Sequence, residues 1–310
     1  MEENAVYDVI IIGAGPAGLT AAIYACRSGL SALVLESAAS GGQVAVSSSV
    51  ENYPSIEKIT GWELAENMRR HALSCGAKLV TADVSEARKN GSLFESVTKK
   101  GIFTSRTLII ANGVKRRKLG CPGEAEFTGK GVSYCATCDG MFFRGKRVAV
   151  VGGGDTAAQD ALYLANICEK VTLIVRKSEM RCKQSLLDSC KNNPDIDILY
   201  NTQVRSVNGN IRVESISLIS GETESELDVS GVFIAIGLSP DNARFAGLVS
   251  LDENGYIDAY EDCLTATDGV FAAGDTRRKL LRQIVTAATD GAVAASQALK
   301  WLQGGSVREN

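Results

Sequence analysis

A single histidine, His71, stands in this chain of 310 residues, and its isolation removes the commonest donor for metal sites and for general acid–base work. Cysteine does not make up the shortage as a metal cage. Nine cysteines are scattered at 26, 75, 121, 135, 138, 168, 182, 190 and 263, and only Cys135 and Cys138 lie two residues apart. A zinc site wants a second closely spaced Cys or His pair, so no metal site is expected. Prolines number 5 against 31 glycines, a balance that suits strand–glycine–helix turns and excludes long proline-rich linkers. There is no positive excess either: 33 basic against 36 acidic residues leave a net charge of −3, which disfavours a broad nucleic-acid surface. No apolar run approaches the length of a membrane span, and the acidic start Met1-Glu2-Glu3-Asn4, followed by an apolar run that stops at Gly13, reads as neither signal peptide nor anchor. An odd, scattered set of cysteines without a secretory signal points to a reducing, cytoplasmic setting, where a disulfide is catalytic rather than structural.

What the chain does have is a repeat. Tyr7-Asp8-Val9-Ile10-Ile11-Ile12 is a short apolar run of the kind buried on both faces of a parallel sheet. Gly13-Ala14-Gly15-Pro16-Ala17-Gly18 follows at once, then a helix predicted from Leu19 to Ser28, then Ala32-Leu33-Val34-Leu35 closing on Glu36. In that order the glycines let backbone approach a pyrophosphate, the helix N-terminus offers free N–H groups, and the acid accepts from ribose hydroxyls. The arrangement returns at Arg147-Val148-Ala149-Val150-Val151, Gly152-Gly153-Gly154-Asp155-Thr156-Ala157 and a second helix, with Val171-Thr172-Leu173-Ile174 as the second strand. Where Glu36 stood, this unit has Val175-Arg176-Lys177, with Arg181 beyond; a cation cluster favours a phosphorylated ribose, so NADPH fits better than NADH.

Between and around these units, Gly61 to Cys75 is spaced as an amphipathic helix, on which His71 reads as a surface or half-buried structural residue. Residues 83–107 alternate as a small antiparallel meander, and Leu108-Ile109-Ile110 as a separate buried strand. The charged run Lys115 to Lys118, before Pro122-Gly123, reads as a solvated linker face at a boundary. Gly231 to Gly237 and Gly269 to Asp275 supply further buried strands. Asp275, just past its strand, suits a sugar-alcohol chain, and a long small-residue helix opens near Gln283, its positive end suited to an anionic ring. The fold class is therefore α/β, with two Rossmann-like units built on parallel sheets and small antiparallel meanders.

Tyr134-Cys135-Ala136-Thr137-Cys138-Asp139-Gly140 lies just before the second unit. Its spacing lets one sulfur attack outward while the other closes a small disulfide ring. Zinc binding and a buried structural pair share that spacing, so the pair alone decides nothing. Two nucleotide units supply a context: hydride carries two electrons, a disulfide accepts two, and a flavin can relay both. With histidine remote in sequence, Asp139 is the nearby candidate for the proton.

These stretches resemble, nearly end to end, the low-molecular-weight thioredoxin reductases. The resemblance is carried by Gly13 to Gly18, Gly41-Gly42-Gln43, the cysteine hexapeptide, Gly152 to Ala157, Gly269 to Asp275 and Arg282-Gln283-Ile284. It implies a homodimer that reduces thioredoxin, with a discontinuous FAD domain of residues 1–116 and 246–310 and an inserted NADPH domain of residues 117–245. Cys138 would face the flavin, Cys135 would attack the thioredoxin disulfide, and Asp139 would protonate. FAD would be held by Gly13, Gly15, Pro16 and Ala17 at the first turn, by Glu36, by Gly42, Gln43 and Asn52 in the following loops, by Val84, Ala111 and Gly113, and by Asp275, Arg282, Gln283 and Ile284. NADPH would be held by Gly152, Gly154, Asp155, Thr156 and Ala157, by Arg176, Lys177 and Arg181, and by Ile236 and Gly237. Hinges are implied near Arg116 to Leu119 and Asn242 to Ala246. The chain departs from the family at Val175-Arg176-Lys177, where His-Arg-Arg is usual, at Asn112, where Thr is usual, and at Cys182. A disulfide-forming oxidase, a reductase with another electron donor or protein partner, and a redox-sensing flavoprotein without turnover are the rival readings.

Overall fold

The computed structural model describes residues 5–304 apart from 39, 46 and 48. The acidic start, residues 1–4, lies outside them. The chain divides into two compact units, one formed by Met1–Lys115 with Ser239–Asn310, the other by Arg116–Leu238. In chain order the first carries β1 (Val6–Ile12), α1 (Pro16–Arg27), β2 (Ala32–Glu36), α2 (Gly61–Ser74), β3 (Lys78–Thr81), β4 (Val84–Asn90), β5 (Leu93–Thr98) and β6 (Gly101–Ile110), with β7 (Val114–Arg116) at the crossing into the second. The second carries β8 (Val132–Ser133), α3 (Ala136–Asp139), β9 (Arg147–Val151), α4 (Asp155–Ala165), β10 (Lys170–Ile174), α5 (Gln184–Asn192), β11 (Ile196–Leu199), β12 (Gln203–Gly209), β13 (Val213–Ser220), β14 (Thr223–Asp228) and β15 (Gly231–Ile234). The chain returns through β16 (Leu238–Pro240), which pairs with β7, and ends with β17 (Val270–Ala272) and α6 (Ile284–Leu302) in the first unit.

The repeat in sequence is a repeat in topology. Parallel strands run β3-β2-β1-β6-β17 in the first unit and β11-β10-β9-β15-β8 in the second. The last four residues of each fingerprint strand, 9–12 in β1 and 148–151 in β9, are apolar and buried because successive residues enter different cores. Val9 and Ile11 pack on the α1 side, Ile10 and Ile12 on the other. In the second unit Val148 and Val150 pack with α4, and Ala149 and Val151 on the opposite face.

The opposite faces are covered by the meanders. In the first unit β4 and β5 contribute Val84, Ala87 and Phe94 to the core. Residues 101–110 form one ten-residue strand rather than the end of a meander and a separate strand: β6 pairs antiparallel with β5 through its first half and parallel with β17 through its second. The second unit has an equivalent β12-β13-β14 meander that supplies Val207, Val213, Ile216 and Leu218. Its sequence signal is weak because β14, Thr223–Asp228, is largely solvent-exposed and the β12–β13 register shifts twice.

Two expectations about the crossings change. Residues 239–245, grouped above with the middle segment, pack with the terminal ones: Phe245 is fully buried in the first unit's core, and Asn242 donates to the Gly255 and Thr276 carbonyls. The run Lys115 to Lys118 is not a uniformly solvated face either. Lys115, Arg117 and Lys118 are exposed, but Arg116 is half-buried, its guanidinium 5.3 Å from the centre of the Tyr134 ring.

Helix α6 brings the last segment back against α1. Their contact is lined by small residues, and a Cβ at Gly291 would collide with the Ala17 carbonyl. Gly291→Val therefore forces the two helices apart and is expected to cost roughly 2–3 kcal/mol, read as a lower denaturant midpoint with an unchanged slope.

Candidate active site

The first glycine turn is built by backbone contact. Gly13 has φ of 108°, and a Cβ there would strike the carbonyl of Ala111, the residue that follows β6. Pro16 opens α1, where its missing N–H costs nothing, and Gly15 faces open space, with no atom within 4 Å of where a Cβ would sit. The surrounding loops close on this turn. Gly41 donates to the Ala14 carbonyl at 2.7 Å, Gly42 approaches Gly15, and Gly274, just before Asp275, packs against Ala17. Glu36, at the end of β2, accepts from the Ala14 amide at 2.7 Å with one oxygen and from Ala38 at 3.0 Å with the other. The carboxylate thus braces the turn as well as facing the cavity beside it.

That cavity, of about 240 Å³, brings Gly13, Glu36, Val84 and Gly113 together. Sequence reading missed its Arg244, which donates to Asp83 and to the Val84 carbonyl at 2.9 and 2.8 Å. At the other end of the same unit Asn52 donates to Gln283 Oε1 at 3.0 Å. Gln283 caps α6 through reciprocal bonds with Thr286, Ile284 packs with Val44 and Val50 beside Gln43, and Arg282 lies over the Tyr256 ring at 4.2 Å. An open helix N-terminus, a brace that can accept from hydroxyls and a glycine cradle without side chains fit an adenine dinucleotide such as FAD.

In the second unit the same contact recurs: a Cβ at Gly152 would strike the Ala235 carbonyl, and Ala157 lies beneath it, fully buried. A cavity of about 540 Å³ is lined by Gly152, Gly154, Thr156, Ile236 and Gly237 and by all three expected cations, Arg176, Lys177 and Arg181. Arg117, Thr202 and Gln203 also line it and went unread in the sequence. The cation loop is stitched to the glycine turn, since Arg181 N donates to the Gly153 carbonyl at 2.6 Å and Lys183 N to Asp155 Oδ1 at 2.8 Å. Asp155 therefore holds the loop rather than lining the cavity. Several cations around a glycine cradle fit a dinucleotide carrying an additional phosphate.

The cysteine pair closes on itself. Cys135 and Cys138 form a disulfide with Cα atoms 5.3 Å apart, Cys135 as N-cap of the short α3. Asp139 ends that helix; burial pushes its carboxyl up, opposed by a hydrogen bond from Ser133 and by the Arg116 charge. Glu124 is 3 % exposed and accepts from the amides of Leu119 and Gly120 and from the Tyr134 hydroxyl, at 3.0, 2.7 and 2.7 Å. Burial, reinforced by that carboxylate, pushes the Tyr134 phenol up to about 12. His71 is exposed on α2.

A buried charge cluster supports the Gly274–Asp275 turn and had no obvious sequence signal. Asp290, on α6, accepts from the Gly274 amide, from Arg277 and from Lys279 at 2.8–2.9 Å. All three side chains are nearly inaccessible, at 5 %, 1 % and 3 % exposure. Its neighbour Asn112 joins the same end of the sheet to the return segment, donating to the Asp241 carbonyl and accepting from Thr276. Nothing in the structure explains why Cys182 stands where it does.

From residue 7 to 291 the chain matches the family model described as pyridine nucleotide-disulphide oxidoreductase. It is 44% identical over 303 residues to the thioredoxin reductase of Treponema pallidum, covering 96% of this chain and 97% of that protein. With that of Bacillus subtilis it shares 43% identity over 309 residues, covering 98% and 97%. The solved thioredoxin reductase of Streptococcus pyogenes superposes with a TM-score of 0.93 at 38% identity, over 97% of this chain and 100% of that one. The chain belongs to the pyridine nucleotide-disulphide oxidoreductases and, within them, to the low-molecular-weight thioredoxin reductases. Among the described residues no helix is long and apolar enough to cross a membrane.

Burial works to raise the Asp290 carboxyl, but the Arg277 and Lys279 bonds outweigh it and hold it below the ordinary aspartate value. The stabilisation is therefore present above the unfolded pKa of about 4 and is lost as pH falls through the lower folded value. Asp290→Ala removes the buried carboxylate that Arg277 and Lys279 share and leaves Arg277 only the exposed Glu261, so it is expected to cost about 3 kcal/mol at neutral pH in equilibrium unfolding. The difference from the parent should shrink in acid.

Proposed function

We propose that the chain is an NADPH-dependent, FAD-containing thioredoxin reductase that works in the cytoplasm as a homodimer. The observation that carries the reading is the Cys135–Cys138 disulfide, set beside the half-buried Asp139 carboxyl in a unit that has its own cation-lined dinucleotide cavity. The glycine turn at Gly13–Ala17, Glu36 and the cavity residues Val84 and Gly113 would hold FAD, whose ring system can pass on hydride electrons in pairs. Ala111 shapes that turn from behind; Gly42, Gln43, Asn52, Asp275, Arg282, Gln283 and Ile284 complete the site. Arg176, Lys177 and Arg181 would grip the extra phosphate of NADPH, and Gly152, Gly154 and Thr156 its pyrophosphate. Ala157, Ile236 and Gly237 shape that second cavity.

The residues of this chain then carry out thiol–disulfide exchange. Reduction breaks the Cys135–Cys138 bond by two electrons. Cys135, as thiolate, attacks one sulfur of the thioredoxin disulfide; that bond breaks, a mixed disulfide forms, and the departing thiolate takes a proton from Asp139. Cys138 returns its proton to Asp139 and, as thiolate, attacks Cys135 Sγ, restoring the internal disulfide and releasing the second thioredoxin sulfur, which takes a proton from solvent. Two electrons and two protons have passed to thioredoxin. The exposed Leu280 and Leu281 ahead of α6 form an apolar patch of the kind a second copy covers, and sedimentation of the holoenzyme at twice the chain mass checks the dimer.

Cys135→Ser and Cys138→Ser should each reduce thioredoxin turnover to background while flavin stays bound, measured by NADPH consumption with thioredoxin and by the flavin spectrum. Full turnover in either variant removes the assignment. Arg176→Ala is expected to raise KM for NADPH about tenfold or more, the loss of one charge-assisted contact, and to leave KM for NADH nearly unchanged. Stopped-flow flavin reduction by each nucleotide separates the two, and equal effects would contradict the phosphate role.

A further inference from the structure

We propose that Ser133 is a positioning residue for proton delivery, its hydroxyl fixing the Asp139 carboxyl to the backbone of Cys135. The proposal rests on the reading of Asp139 as proton donor. Ser133 closes β8, is 5 % exposed, and points its hydroxyl into the cysteine loop. Its Oγ donates to Asp139 Oδ2 at 2.6 Å and accepts from the Cys135 amide at 3.1 Å. The Cys135 carbonyl, 3.4 Å away, is a second acceptor within reach.

A hydroxyl has one hydrogen and two lone pairs, so these three neighbours cannot all be served at once in the same way. With Asp139 ionised, the hydroxyl donates to the carboxylate and accepts from the amide. With Asp139 protonated, the carboxyl O–H donates to Ser133 Oγ, and the serine hydrogen turns to the Cys135 carbonyl. Either state leaves the hydroxyl and Asp139 Oδ2 satisfied. The carboxyl can thus gain and lose its proton without stranding a buried polar group, the circumstance that otherwise makes burial costly. Because both the amide and the carbonyl belong to Cys135, the arrangement also keeps the proton donor in register with the backbone of the sulfur expected to attack.

The surroundings agree with this division of labour. The charged group acting on Asp139 is Arg116, which lies over the Tyr134 ring. From α4, Tyr163 and Leu164 approach Gly140 next to it, with a ring carbon and an apolar chain. Burial opposes ionisation, while Ser133 and Arg116 favour it. Removing the hydroxyl should therefore move the titration upward.

The test compares pH profiles of thioredoxin reduction by the parent holoenzyme and by Ser133→Ala, Ser133→Thr and Asp139→Asn, at saturating NADPH. Alongside, 13C NMR follows the Asp139 carboxyl, assigned by its absence in Asp139→Asn. Ser133→Ala is expected to raise the apparent pKa of the Asp139 limb by about one unit, the size of a lost hydrogen bond to a charged group, with the carboxyl resonance moving equally. KM for NADPH should not change, and Ser133→Thr, which keeps the hydroxyl, should restore the parent profile. A carboxyl titration in Ser133→Ala that matches the parent, or a threonine variant that behaves as the alanine one, overturns the proposal. If Asp139→Asn keeps the pH limb, the earlier role of Asp139 falls, and the NMR titration still decides whether Ser133 governs that carboxyl.

Discussion

Both units depend on one close approach of backbone to backbone. The first glycine of each turn lies against the carbonyl at the end of the neighbouring sheet strand, Gly13 on Ala111 and Gly152 on Ala235, with no room for a side chain. That contact places the helix N-terminus at the carboxyl edge of the sheet, where two strands part company and a dinucleotide can enter. Glu36 and Asp155 then act as parallel devices with different reach: the first steadies the turn itself through the Ala14 amide, the second ties the turn to the loop bearing Arg181 and Lys183. One local constraint, repeated, leaves two cavities whose charge differs because the residues after the second strand differ.

Much of this was legible from spacing. The glycine turns, the apolar strands between two cores, the cation cluster and the cysteine pair all lie within short windows, where period and composition carry the signal. Features made by residues distant in the chain were not. Arg277 and Asp290 stand 13 positions apart with no motif linking them, and only the fold brings them to 2.8 Å. Arg116 looked like part of a solvated run because sequence does not show the Tyr134 ring beneath it. The break drawn between Thr107 and Leu108 fell inside one strand: β6 begins exposed at Gly101 and Ile102 and is covered on both faces only toward its end, from Thr107 to Ile110. Gln203 shares the cavity of Arg176 although they lie 27 positions apart, and nothing around Gln203 announces it.

The departure at Val175 also has a physical place. Its side chain is buried against the α4 core, 2 % exposed, and one methyl group lies near Gly153. The position thus serves packing under the glycine turn, while the following two cations serve the cavity. Asn112 likewise has work to do, since its amide both donates and accepts in a network that reaches Asp241, Asn242 and Thr276.

Glu124 gives the cysteine loop a foundation outside the hexapeptide. It gathers two amides from the chain's entry into the second unit and the phenol of Tyr134, the residue just ahead of Cys135. Ser133 and Asp139 continue the same line of contacts on the far side. The redox centre is therefore not a portable motif. Grafted into another protein, Cys-Ala-Thr-Cys-Asp-Gly would bring its sulfurs and its acid but leave behind the buried carboxylate and the strand that set their bearings. A borrowed copy would be a dithiol of ordinary habits.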